Sequence, residues 1–169
     1  KGAETIPDFT RSDARKAYEF RVYEQLSALY LTQERPKDAA DVLNAFARRQ
    51  PLHAQAPVMQ ARVIEIQQQA GFDSLAVESK KEYVARYGLA SEFRRANPAS
   101  WARTQPLLKT HLAELARRYH ARAQRTKATA DYQEAVRWYR AYLESFPDDA
   151  DAAPSNFLLA ELLYEDKQF

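Results

Sequence analysis

The chain contains no cysteine and only three glycines in 169 residues. Without cysteine it has no disulfide, no thiolate nucleophile and no cysteine-based zinc site. The compartment stays open, because a cysteine-free chain suits cytosol and periplasm alike. So few glycines exclude a glycine-rich phosphate loop and leave little material for tight β-hairpins. There is no long hydrophobic run either. The most apolar stretch, Phe157 to Tyr164, is eight residues long and includes Glu161, against roughly 20 residues needed to span a bilayer as a helix. Neither sign of charge dominates: 25 Lys and Arg face 23 Asp and Glu, a formal net charge of +2. Bulk electrostatics therefore argue for neither a nucleic-acid nor a membrane binder. The chain begins with Lys1 and no signal-peptide pattern follows, which reads as a processed or excised piece of a longer protein.

What is present is the composition of a folded helical protein. Apolar residues make up 46% and charged residues 28%, enough apolar material for a core at this length. Ala, Leu, Arg, Glu and Gln are abundant and favour helix. The stripe Met59, Val63, Ile66, Ala70 has helical spacing, as does Leu108, Leu112, Leu115, Tyr119, and no stretch alternates with period two. Ser12 or Asp13, and Asp131, are predicted N-caps.

The sequence also repeats itself. From Tyr23 to Pro51 it runs Tyr23, Leu26, Ser27, Tyr30, Pro36, Ala39, Leu43, Phe46, Pro51. The set Ala39, Phe46, Pro51 recurs as Ala76, Tyr83, Gly88 and as Ala135, Tyr142, Pro147, each time with separations of seven and five. Leu115, Ala116 and Tyr119 precede the third set, and Phe157, Leu159 and Ala160 follow it. Ala39 and Ala76 lie 37 residues apart, as do Tyr132 and Phe169. The larger interval from Ala76 to Ala135 predicts an insertion over 89–106, with a short helix near Ser91 to Ala96 stopped by Asn97-Pro98. Residues Arg122 to Thr129 either lengthen the following helix or enlarge its turn.

These residues resemble the tetratricopeptide repeat (TPR) pattern across about residues 20–169, and the period and Ala-rich linkers are similar to those of bacterial envelope TPR proteins of the YbgF-like and BamD-like kind. The lipoprotein cysteine of BamD-like members has no counterpart here. The resemblance implies an all-α fold, a right-handed superhelix (α-solenoid) of TPR helix-turn-helix units with an extra helical insertion. A lead-in over 1–19 would be followed by repeats at about 20–53, 54–88 and 108–149 and a truncated one at 153–169. Phe169 would open a second helix whose remainder is missing, so further units are expected in a longer chain. The implied function is that of a protein-interaction scaffold in envelope assembly or maintenance, periplasmic or outer-membrane-associated, with a cytoplasmic location as the alternative.

In that pattern Tyr23, Tyr30, Tyr119 and Tyr142 are core, and the groove for a partner peptide or helix is lined by the other face of each first helix. The groove candidates are Arg21, Glu24 and Leu31, then Arg117 and His120, then Phe157, Glu161 and Tyr164. Glu24 and Ala28 stand where chaperone-binding TPRs carry a carboxylate clamp, which disfavours a C-terminal carboxylate as ligand. The run Arg117, Arg118, Arg122, Arg125, Lys127 holds five bases and no acid, with Arg94-Arg95 as potential neighbours. Two readings stay open for it: neutralisation by Glu144, Asp148, Asp149 and Asp151, or an acidic or phosphate-bearing partner. Nucleic acid is the lesser alternative, as is a regulatory domain of a larger enzyme. His53, His111 and His120 form no His-Glu-x-x-His, and no Ser sits in Gly-x-Ser-x-Gly. His111 and Glu114 are three apart, but two ligands do not make a zinc site. No catalytic residue, metal or cofactor is predicted, the chain is read as a non-enzyme, and its oligomeric state is left undetermined.

Overall fold

Three turns between successive helices share a left-handed residue at the same place. A computed structural model describes residues 18–166; the Ser12 and Asp13 caps and Phe169 lie outside the described residues. Eight helices follow one another: α1 (Glu19–Thr32), α2 (Pro36–Arg49), α3 (Ala56–Gln69), α4 (Asp73–Tyr87), the short α5 (Glu92–Ala96), α6 (Pro98–Thr126), α7 (Thr129–Ser145) and α8 (Ala152–Glu165). No strand occurs among the described residues. Glu34, Gly71 and Lys127 adopt left-handed backbone, with φ of 56°, 74° and 55°. Each stands two residues before the start of a second helix, α2, α4 or α7. In the first two turns an N–H five residues on closes the helix end, Arg35 to the Tyr30 carbonyl at 2.9 Å and Phe72 to that of Gln67 at 2.8 Å. That is the Schellman ending, which calls for a left-handed residue in this place.

Local chemistry sets the other ends. Pro36 and Pro98 stand in the opening turns of α2 and α6, where a missing N–H leaves no hydrogen bond unmade. The Ser91 hydroxyl accepts from the Arg94 N–H at 3.2 Å and caps α5, which stops before Asn97 as the sequence predicts. At the start of α1 the buried Glu19 accepts from Gln50 Nε2 at 2.9 Å. This bond ties the beginning of α1 to the end of α2.

Helices pack on their chain neighbours: α1 on α2, α2 on α3, α3 on α4, α4 on α6, α6 on α7 and α7 on α8, with α5 tucked between α4 and α6. The core falls into two clusters. The first joins α1, α2 and α3 through Tyr23, Leu43, Phe46, Met59, Val63 and Ile66. The second runs from α3 to α8 and takes Ala61 and Ile64 from α3. Helix α3 is thus buried on two sides. The recurring sequence positions coincide with this burial: Ala39 and Phe46 are 0% exposed, Ala76 and Tyr83 are 3% and 0%, and Ala135 and Tyr142 are 0% and 2%. The architecture is all-α and helical-repeat-like, and none of the helices among the described residues is long and apolar enough to cross a membrane.

Two local expectations are corrected. Residues 98–106, expected within an insertion ahead of the next repeat, are continuous with α6, which runs for 29 residues with Pro106 inside it. Pro106 removes one helix hydrogen bond, but Trp101 anchors the segment by donating from Nε1 to the Tyr87 carbonyl at 2.7 Å. The Thr104 hydroxyl adds a bond to the Trp101 carbonyl at 2.7 Å. At its other end α6 absorbs Arg122 to Thr126. Asp131 does not cap α7, which begins at Thr129 with Ala128 at the cap position. The Asp131 carboxylate instead accepts from the Thr126 hydroxyl at 2.7 Å and pairs with Arg122 at 2.9 Å.

Two tests follow. Ala39→Leu or Ala135→Leu, adding a large group where exposure is 0%, is expected to cost ~1–3 kcal/mol in urea unfolding. Ala121→Leu, on the exposed face of α6, should cost under about 0.5 kcal/mol. In the turns, Gly71→Ala is expected to destabilise and Glu34→Gly to stabilise, each by about 1 kcal/mol, because left-handed backbone is strained for any residue with a Cβ. Equal stability of both turn variants and the parent would contradict the strain at these positions.

Candidate partner-binding surface

The eight groove candidates separate into an α1 group and an α6–α8 group. On α1, Arg21 is exposed, and with Tyr18, Val22, Gln25, Leu26 and Leu29 it lines an open apolar depression. The Arg21 guanidinium lies 5.7 Å from the centre of the Phe20 ring. Glu24 is half-buried and pairs with Arg62 of α3 at 3.8 Å, so it bridges two first helices. Leu31 is exposed.

The second group gathers where α6, α7 and α8 meet. Arg117 is exposed and borders a narrow cleft with Ala113, Tyr139, Pro154 and Leu158. Burial raises the Tyr139 phenol above its usual range; the Arg117 charge opposes this shift and Glu161 reinforces it. Arg117 and Glu161 therefore act on one phenol from α6 and α8. Phe157 and Tyr164 are 72% and 74% exposed, the most exposed large apolar side chains described. With Glu161 they fall at i, i+4 and i+7, one face of α8. His120 stands apart from the open surface. It is buried, with Nδ1 3.2 Å from the Tyr139 hydroxyl, because α7 packs along α6 as far as Ala123.

The basic run on α6 is only partly neutralised. Asp149 and Asp151 are engaged by Lys109, at 2.6 and 3.8 Å, rather than by the run. The Lys109 hydrogen bond, helped by the Asp151 N–H and the Tyr142 hydroxyl, holds the Asp149 carboxyl down at about 2. Within the run, Arg122 pairs with Asp131, and Lys127 lies 3.9 Å from Glu165. Arg94 is not a neighbour of the run. It lies against Trp101, 4.6 Å from the ring centre, near the opposite end of α6.

Sequence reasoning missed three features. One is a groove of about 790 Å³ over α2, α4 and α7, edged by the Arg48–Glu82 pair at 3.7 Å and floored partly by Trp138. Leu75, 47% exposed, lines it. Another is Gln60, buried on α3 with both side-chain polar atoms unpartnered. The third is the part Lys80 of α4 plays beside His111 and Glu114 of α6, a pair the sequence places three apart. Lys80 Nζ lies 2.8 Å from Glu114 Oε2, and His111 Nδ1 lies 3.6 Å from the same oxygen. The His111 ring meets Tyr83 edge-on with centres 5.0 Å apart. Among the described residues no group of three or more His, Cys, Asp and Glu is arranged to hold a metal ion.

The polar cluster carries a pH signature. Burial holds the His111 imidazole below its ordinary 6.5; the Glu114 carboxylate opposes the shift and the Lys80 ammonium adds to it. Below about pH 6.5 the unfolded chain then binds a proton that the folded chain resists. This stability is present above the unfolded value and is lost as the pH falls through it. Burial pushes the Glu114 carboxyl up, but Lys80 and His111 together lower it by more, and its net shift below 4.5 adds a loss at lower pH. The urea midpoint is expected to fall between about pH 7.5 and pH 5.5, and His111→Leu should flatten that fall. An equally steep fall in the variant would remove His111 as its source.

No family model matches this chain and no curated protein matches it.

Proposed function

We propose that this chain is a TPR-type interaction scaffold, a right-handed superhelix that holds a helix or extended segment of a partner protein along the face of its first helices, α1, α3, α6 and α8. The observation carrying this reading is the coincidence of sequence repeat and structural repeat. The small and aromatic positions seven apart in α2, α4 and α7 are all buried, at most 3% exposed. Each of these helices also follows a left-handed residue two positions before its start. Units that bury the same positions and turn on the same backbone stack into an extended surface suited to a long ligand.

The partner would bury apolar side chains against Leu31 and Phe157, both exposed. Arg117 and Glu161 would set its register through charge. Helix-in-groove recognition requires this combination of apolar anchors and a few polar fixtures. The 37-residue spacing and Ala-rich linkers favour the bacterial envelope, periplasm or outer-membrane surface, as the place of work.

Affinity capture from fractionated lysate of the source organism tests the reading, with Leu31→Ser and Phe157→Ser as parallel baits. Envelope proteins should be enriched by the parent chain and depleted about tenfold or more by the variants, at unchanged helicity by circular dichroism. Leu75→Ser, on α4 and facing the other groove, should retain them. Equal capture by all four baits would sink the groove assignment, and enrichment from the cytosolic fraction alone would sink the envelope assignment.

A further inference from the structure

We propose that the last three turns of α6 form a docking strip for an acidic protein segment, with Arg118 and Arg125 as its two free guanidinium contacts and Arg117 at its border. This goes beyond the scaffold reading and does not depend on it, because Arg118 and Arg125 lie outside the groove set.

The strip is built from residues that share an exposed face. Arg118, Arg122 and Arg125 are all exposed and fall at i, i+4 and i+7, which aligns them along one side of the helix over ~10 Å. Asp131 already engages the middle one, 2.9 Å from Arg122. The other carboxylate oxygen of Asp131 is held by Thr126 at 2.7 Å. Arg122 is therefore fixed, and a carboxylate bonded to a guanidinium on this face is part of the fold itself. Arg117, Arg118 and Arg125 have no ion-pair partner among the described residues. Cations in the last turn are explained by the helix dipole, which favours positive charge there. Arg117 and Arg118 lie two turns further in, beyond its reach, and no carboxylate among the described residues forms an ion pair with either.

The chemistry selects among anionic partners. Arginine presents a planar fork that suits bidentate carboxylate or phosphate binding. A duplex contact engages on the order of 6–10 phosphates, whereas this strip offers three unpaired cations on a chain of net charge +2. Single-stranded nucleic acid binds through successive exposed aromatic platforms, whereas Tyr119 and Tyr132 beside the strip are buried and the exposed Tyr164 on α8 is a single ring. Two carboxylates ~10 Å apart, at i and i+7 of a helix or i and i+3 of an extended segment, match Arg118 and Arg125.

The test uses fluorescence anisotropy with a labelled 12-residue peptide of Ala, Gln and Glu, its Glu residues placed at i, i+4 and i+7. A Gln-only version and a single-stranded 12-nucleotide DNA serve as comparison probes. At low salt the Glu peptide should bind, and its affinity should fall about tenfold or more in Arg118→Glu with Arg125→Glu. Arg95→Glu, on α5 near the opposite end of α6, should change it by less than about twofold. Circular dichroism of the double variant should match the parent, and Arg118→Lys with Arg125→Lys should retain part of the affinity if charge is the basis. The proposal is overturned if the Gln peptide binds as well as the Glu peptide, or if the double reversal binds like the parent. It is also overturned if the DNA binds more tightly than the Glu peptide and loses affinity with the same substitutions, which would assign the strip to nucleic acid.

Discussion

Three alanines, Ala39, Ala76 and Ala135, set how closely the helices of this array can meet, and each is at most 3% exposed. A methyl group is the largest side chain that leaves the facing backbone within reach. Seven residues on, an aromatic ring, Phe46, Tyr83 or Tyr142, fills the space two turns away. The pairing of a small residue with a large one at fixed spacing is a packing solution, because a close-packed interior tolerates neither a void nor an extra methylene well. The recurring left-handed turns follow from the same constraint. A second helix can lay its alanine against the first only if the chain reverses within a few residues, and Glu34 and Lys127 accept strained backbone to do so.

With the core positions committed to packing, what remains on the outside differs along the chain. Helix α1 carries an apolar depression edged by Arg21 and Gln25, whereas α8 presents two aromatic rings around a glutamate. Between them α6 is cationic in its last three turns. Inside, the α4–α6 seam gathers Lys80, Glu114 and His111 around one carboxylate. A buried imidazole that resists protonation beside an ion pair makes this seam sensitive to acid.

The repeat was legible because its positions obey sterics: Ala39, Phe46, Ala76, Tyr83, Ala135 and Tyr142 are identifiable by size and spacing alone. Pro36 and Asn97-Pro98 were legible because helix ends need particular side chains. Tertiary anchoring overrode local preference elsewhere. Pro106 reads as a boundary, yet the Trp101 bond to the Tyr87 carbonyl carries the helix through it. Asp131 has the chemistry of a cap, but Arg122 and Thr126 compete for its carboxylate. His120 occupies a position expected to face a ligand, and Tyr139 covers it from a helix begun nine residues later in the chain. Among the groove candidates, the exposed residues matched simple amphipathic reasoning. The relation of Arg117 to Glu161 did not, since it depends on how α6 and α8 approach around Tyr139.

Helix α3 gives Met59, Val63 and Ile66 to one core and Ala61 and Ile64 to the other. That sharing constrains how such a chain can change length over evolution. Losing the first hairpin would expose three large apolar side chains on α3 at once, creating a surface prone to self-association. A viable deletion would need those three positions to turn polar in concert, whereas duplicating a hairpin would need only faces that already fit.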